Sequence, residues 1–268
     1  MTFRQRTASL ARVLLGLYLL GNVTCRLSLW VCLNILQIPP MHAPLGASVL
    51  TSLLDLSVAY LLFGRVLLVR LASCRADRRP VPLGVLTAIG IVASMILGAM
   101  FGGVQWIPHG TREVQWIYLL GFSLHAAVSE ELLCRFLVLD RLGQVVGRVP
   151  AFALQILLFV TLHTLASPLD LRAASHLALG AVLIGSFYLW SRSLLGAMAL
   201  HMAHDVLVSL AFGASLDGLA LYPLVVGDNF SQLHSHQASA LFMSGLSIWM
   251  LWNARQRRQL PAHARPLQ

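Results

Sequence analysis

A chain built from repeated apolar runs of about 20 residues has few ways to fold. Each run is long enough for a helix to cross the hydrocarbon core of a bilayer. Inside lipid every backbone amide must find its partner within the segment or in a closed barrel. Such runs occur about eight times here, at about 12–36, 46–70, 83–107, 115–139, 150–166, 172–190, 194–213 and 237–253. Proline punctuates them: Pro39, Pro40 and Pro44 separate the first two, Pro80 and Pro82 precede the third, Pro108 ends it, and Pro150 and Pro168 bracket the fifth. Only 11% of residues are charged, against about 25% in soluble domains. That is too little polar material to clothe a water-facing surface. The expected fold class is therefore all-α: a polytopic membrane protein of about eight transmembrane helices, forming one integral-membrane domain over 1–268.

The net charge of +9 would suggest nucleic acid if it covered one soluble face. Instead the arginines fall in short segments between apolar runs, so the expected surroundings are the lipid bilayer, and nucleic acid is not an expected partner. With eight spans, Arg4, Arg6 and Arg12, then Arg70, Arg75, Arg78 and Arg79, then Arg141 and Arg148, then Arg192, then Arg255, Arg257, Arg258 and Arg265 share one side. Only Arg112 and Arg172 oppose them. The positive-inside rule then puts both termini in the cytoplasm. Every basic residue is arginine, which suggests a GC-rich bacterium and its cytoplasmic membrane. No small-x-small cleavage site follows the first run, so it reads as an anchor. Cys25, Cys32, Cys74 and Cys134 form no CxxC, and neither a disulfide framework nor a zinc cluster is suggested. The longest connection, about 214–236, carries His234 and His236, which are read as inert.

Against this background Ser129-Glu130-Glu131-Leu132-Leu133-Cys134-Arg135 stands out. Three charges sit inside an otherwise apolar run, and ionisable groups at membrane depth are expensive and normally kept for a task. Two further spans carry polar residues at i, i+4 spacing, which places each pair on one helix face: Phe159 with His163, and His201 with Asp205. Counted from the arginine-bearing ends at 1.5 Å per residue, Glu130, His163, His201 and Asp205 lie about 11–20 Å deep. Candidate catalytic residues are thus Glu130, Glu131, Arg135, His163, His201 and Asp205, within a core of about 115–213. Arg135 shares a face with Glu131 and can hold it as a carboxylate. Glu130, turned about 100° away, is left to take a proton from water. His163 can share that water or return the proton. His201 and Asp205 can orient each other and serve a developing oxyanion. His125 and His176 read as structural, His204 as a neighbour of Asp205, and Cys134 as packing.

The ordered set Glu130-Glu131-x-x-x-Arg135, Phe159-x-x-x-His163 and His201-x-x-x-Asp205 resembles the three-motif signature of the CPBP (Abi, or CAAX prenyl endopeptidase and bacteriocin-processing) intramembrane proteases. The resemblance implies an eight-helix fold and a glutamate-activated water. By motif position Glu130 and His163 would activate the water, Glu131 and Arg135 would support them, and His201 with Asp205 would form the oxyanion site. The third motif commonly ends in asparagine, and Asp205 departs from it. An ionised aspartate cannot donate a hydrogen bond. The family has also been described as metal-dependent. Glutamates and histidines can hold zinc, but HExxH is absent, and no cofactor is expected. The expected activity is intramembrane endopeptidase, acting on a membrane-associated or C-terminally modified protein or peptide. Two other readings remain open: a non-catalytic scaffold or immunity protein, and a transporter or proton relay. The latter would call for paired, interrupted helices in two halves, and none are seen.

Overall fold

The computed structural model describes residues 3–39, 42–76, 79–102, 116–166, 170–212, 215–216, 219–220 and 229–259. Arg112, Pro108 and Pro168 lie outside the described residues, as do the side chains of His234 and His236.

The chain is an α-helical bundle. The first predicted run is one long helix. It consists of α1 (Phe3–Tyr18), a π-helical turn (Leu19–Val23), α2 (Thr24–Trp30) and a second π-helical turn (Val31–Ile35). The second run is broken. Helix α3 (Ala43–Phe63) stops at Gly64, whose φ of +47° only glycine adopts readily, and α4 (Arg65–Ala76) starts anew. After α5 (Pro80–Phe101) comes α6 (Trp116–Glu131), which widens into a π-helical stretch, Leu132–Leu142, before the single turn α7 (Gly143–Val146). Gly147, at φ +94°, makes the corner into α8 (Arg148–Ala166). The Asp170 carboxylate caps α9 (Leu171–Ser191) by accepting from the Ala173 amide at 2.7 Å, and α10 (Leu194–Phe212) follows. A two-residue hairpin, Ser215–Leu216 with Leu219–Ala220, precedes α11 (Asn229–Gln259).

Among the described residues seven helical spans are long and apolar enough to cross a membrane, so the chain is an all-α polytopic membrane protein. The eighth predicted run is helical within α11 but is not among those seven. Two expectations need correcting. The second run is two helices rather than one, because Gly64 turns the chain. The connection about 214–236 is shorter than expected, because α11 begins at Asn229.

The bundle is polar in places within and apolar without, the inverse of a soluble protein. Leu61, Phe101, Leu157 and Ile248 face outward. Inside, α5 packs on α10 and α11, α6 on α10 and α3, and α8 on both α9 and the π-helical stretch. With no hydrophobic drive between helices in lipid, small residues permit the closest approach. At Gly84 on α5 an added Cβ would stand 2.5 Å from the Gly196 carbonyl oxygen on α10. Four buried hydroxyls are satisfied locally: Ser28, Thr51, Ser52 and Ser247 each donate to the carbonyl four residues back at 2.7–2.9 Å.

Candidate active site

The helix that carries the first motif changes geometry at Glu131, where α6 gives way to the π-helical stretch. Such irregularities concentrate at functional sites. Here the widened turn is wholly buried from Leu132 to Asp140. Arg135 and Glu131 are both fully buried, and Arg135 is the largest side chain so enclosed. Its Nε lies 3.2 Å from Glu131 Oε2, an ion pair not aligned as a hydrogen bond. Its Nη2 reaches the Ala181 carbonyl at 3.5 Å, and its guanidinium sits 5.1 Å from the Phe159 ring centroid.

The other carboxylate oxygen of Glu131 reaches across to α10. His201 Nδ1 lies 2.8 Å from Glu131 Oε1. A carboxylate accepts, so Nδ1 carries the proton and Nε2 is turned the other way. That Nε2 lies 3.9 Å from Glu130 Oε2 and 3.5 Å from Asp205 Oδ2. The tight partner that orients His201 is therefore Glu131 on a neighbouring helix, rather than Asp205 one turn away as the spacing suggested. Asp205 is shared, its Oδ1 standing 3.4 Å from His204 Nδ1.

Helix α8 brings His163. Its Nδ1 is 2.9 Å from the Phe159 carbonyl and donates to it, which leaves the Nε2 lone pair facing Glu130 Oε1 at 4.0 Å. Phe159 is the common wall: its ring centroid is 4.6 Å from that of His163 and 5.9 Å from that of His201. The two Glu130 separations are too long for direct hydrogen bonds and suit a pair bridged by one water.

Beside these groups lies a cavity of about 80 Å³, room for a few water molecules, lined by His163, His176, His201, His204, Asp205 and apolar residues of α9 and α5. Glu130 is not among the lining residues; it stands behind the two imidazoles at the distances given. All six candidate residues thus converge. The sequence reading missed two neighbours of the site, His176 and Gln155. His176 lines the cavity rather than standing apart. Gln155, fully buried on α8, donates to the same Ala181 carbonyl that Arg135 reaches, at 3.2 Å. Its signal was available: residues 155, 159 and 163 share one face at i, i+4, i+8. His125 has a polar partner after all, with Nδ1 3.1 Å from the Ser129 hydroxyl, which itself donates to Asp55 at 2.5 Å.

Among the described residues, no group of three or more histidines, cysteines, aspartates or glutamates has the geometry to hold a metal ion.

Charged and imidazole side chains gathered beside a small cavity within a helical membrane bundle define a class: a polytopic membrane protein with an interior acid–histidine site. More particularly, residues 112–207 match the family model described as type II CAAX prenyl endopeptidase Rce1-like. This segment holds all three motifs and is similar to the group they resemble, a family of peptidases. Comparison with curated proteins and with solved structures gave no match.

Proposed function

We propose that this chain is an intramembrane endopeptidase in which Glu130 activates water against a peptide bond. The observation that carries this reading is the placement of the two Glu130 oxygens, 4.0 Å from His163 Nε2 and 3.9 Å from His201 Nε2. A water between Glu130 and His163 meets two acceptors, so it donates both hydrogens and presents its lone pairs outward. Glu130 takes one proton as the water oxygen bonds to the scissile carbonyl carbon. The oxyanion that forms needs a donor. Asp205 as a carboxylate cannot supply one, whereas His201 can donate from Nε2 when its ring carries both protons, with Glu131 holding the Nδ1 side. The C–N bond then breaks and the proton held by Glu130 passes to the departing amine. Net, one water is consumed and no metal is required.

The substrate class is a membrane-associated or C-terminally modified protein or peptide, reached from within a bacterial cytoplasmic membrane. The apolar residues that complete the cavity wall, such as Leu177 and Ile184, suit a segment entering from lipid. The test is cleavage of candidate membrane peptides by the full chain in nanodiscs, read as new C-termini by mass spectrometry. Glu130→Gln and His163→Ala are each expected to slow cleavage by about 10²–10⁴-fold, and chelators to leave it unchanged. Wild-type rates in both variants would end the proposal.

A further inference from the structure

A second polar cleft lies at the end of the bundle where α1 begins and α3 ends, away from the acid–histidine site. Its volume is about 420 Å³, within the range of small-molecule sites, and Gln5, Ser9, Arg12, Phe63, Arg141 and Gln144 line it. Gln5, Ser9 and Arg12 share one face of α1 by their spacing. Arg141 comes from the end of the π-helical stretch and Gln144 from α7.

The charge in this cleft is unbalanced. No acid lines it. Arg12 and Arg141 lie close enough for their like charges to act on each other. Asp140, the acid that acts on Arg141, has both oxygens occupied by Arg70, at 3.0 Å to Nε and 3.0 Å to Nη2. Among the described residues no ion pair engages Arg12 or Arg141. Two donors are also left over. Ser9 is 8% exposed, and among the described residues neither its hydroxyl nor the buried Arg141 Nε has a partner. The Arg141 guanidinium is held 5.4 Å from the Phe63 ring centroid, so its position is set before anything binds. Unpaired buried donors beside two guanidiniums that no ion pair engages describe the lining of an anion site.

We propose that this cleft binds the phosphate of an anionic phospholipid head group. Arg12 and Arg141 supply charge, and Ser9, Gln5 and Gln144 supply neutral polar contacts. A lipid is favoured over a free phosphate by what adjoins the cleft. It opens on the arginine-bearing end of the spans, where basic pockets between helices meet head groups. Within one turn of Arg12 the first span presents exposed Leu14 and Leu15 to the acyl region.

The test is binding to the purified full chain in detergent, by native mass spectrometry and thermal stability. The probes are phosphatidylglycerol, phosphatidylcholine and glycerol 1-phosphate. Phosphatidylglycerol should bind and stabilise in preference to phosphatidylcholine. Arg12→Gln and Arg141→Gln should each weaken it about fivefold, and Arg255→Gln, an exposed arginine elsewhere, should not. Arg12 is exposed, so Arg12→Gln decides the matter if Arg141→Gln fails to fold. Equal binding of the two lipids, an unchanged Arg12→Gln, or equal occupancy by glycerol 1-phosphate would each overturn the assignment.

Discussion

At the scale of residues, the buried Glu131–Arg135 pair does two jobs that look alike in sequence and differ in space. One Glu131 oxygen compensates Arg135 at 3.2 Å, while the other fixes His201 at 2.8 Å. Removing Arg135 leaves the buried Glu131 with His201 alone, and removing the Glu131 charge leaves Arg135 with only the Ala181 carbonyl. Arg135→Met is therefore expected to destabilise the protein by about 3–5 kcal/mol, read as early thermal unfolding in detergent. Glu131→Gln keeps the shape but loses the charge, and should lower cleavage as well as stability. Which residues are polar, and which pairs share a helix face, was legible because i, i+4 spacing is a property of one helix. The partner of His201 was not legible, because Glu131 comes from another helix and no local pattern encodes that contact. For the same reason Asp205 seemed the natural orienting group and His176 seemed isolated; the contact of His125 with Ser129, by contrast, is an i, i+4 pair on one helix and was legible.

At the scale of elements, apolar runs marked the helices well where proline or a charged segment bounded them. The run expected at about 83–107 is α5, Pro80–Phe101. Runs say little about changes within a helix. Neither the corner at Gly64 nor the π-helical widening after Glu131 alters hydropathy, since both depend on backbone geometry that packing decides. At the junction of α5 and α10 backbone meets backbone. At Gly84 a methyl group would stand 2.5 Å from the backbone oxygen of Gly196. Gly84→Ala should force α5 and α10 apart and cost about 1–3 kcal/mol, measured as a lower unfolding temperature. Because α10 also carries His201 and Asp205, the same variant should lose activity out of proportion to its stability.

At the scale of the whole molecule, the arginine pattern makes a claim about topology. If α11 crosses the bilayer with the seven apolar spans, the connection near Arg79 and the end of the chain face the same compartment. Fluorescent-protein and alkaline-phosphatase fusions after Ala76 and after Gln268 are expected to report the cytoplasm for both; opposite compartments would mean an odd number of crossings. The overall class was readable because hydropathy reports the solvent. The inner arrangement was not, because it rests on contacts among α5, α9, α10 and α11 that are distant in sequence.

The hollow beside the imidazoles holds about 80 Å³, enough for a few waters and far too little for a stretch of polypeptide. On the proposed chemistry, each round of turnover must begin with neighbouring helices parting to admit the chain being cut. The stiffness of the surrounding lipid should then govern the rate, so cleavage should slow in ordered bilayers even where every reacting group is intact.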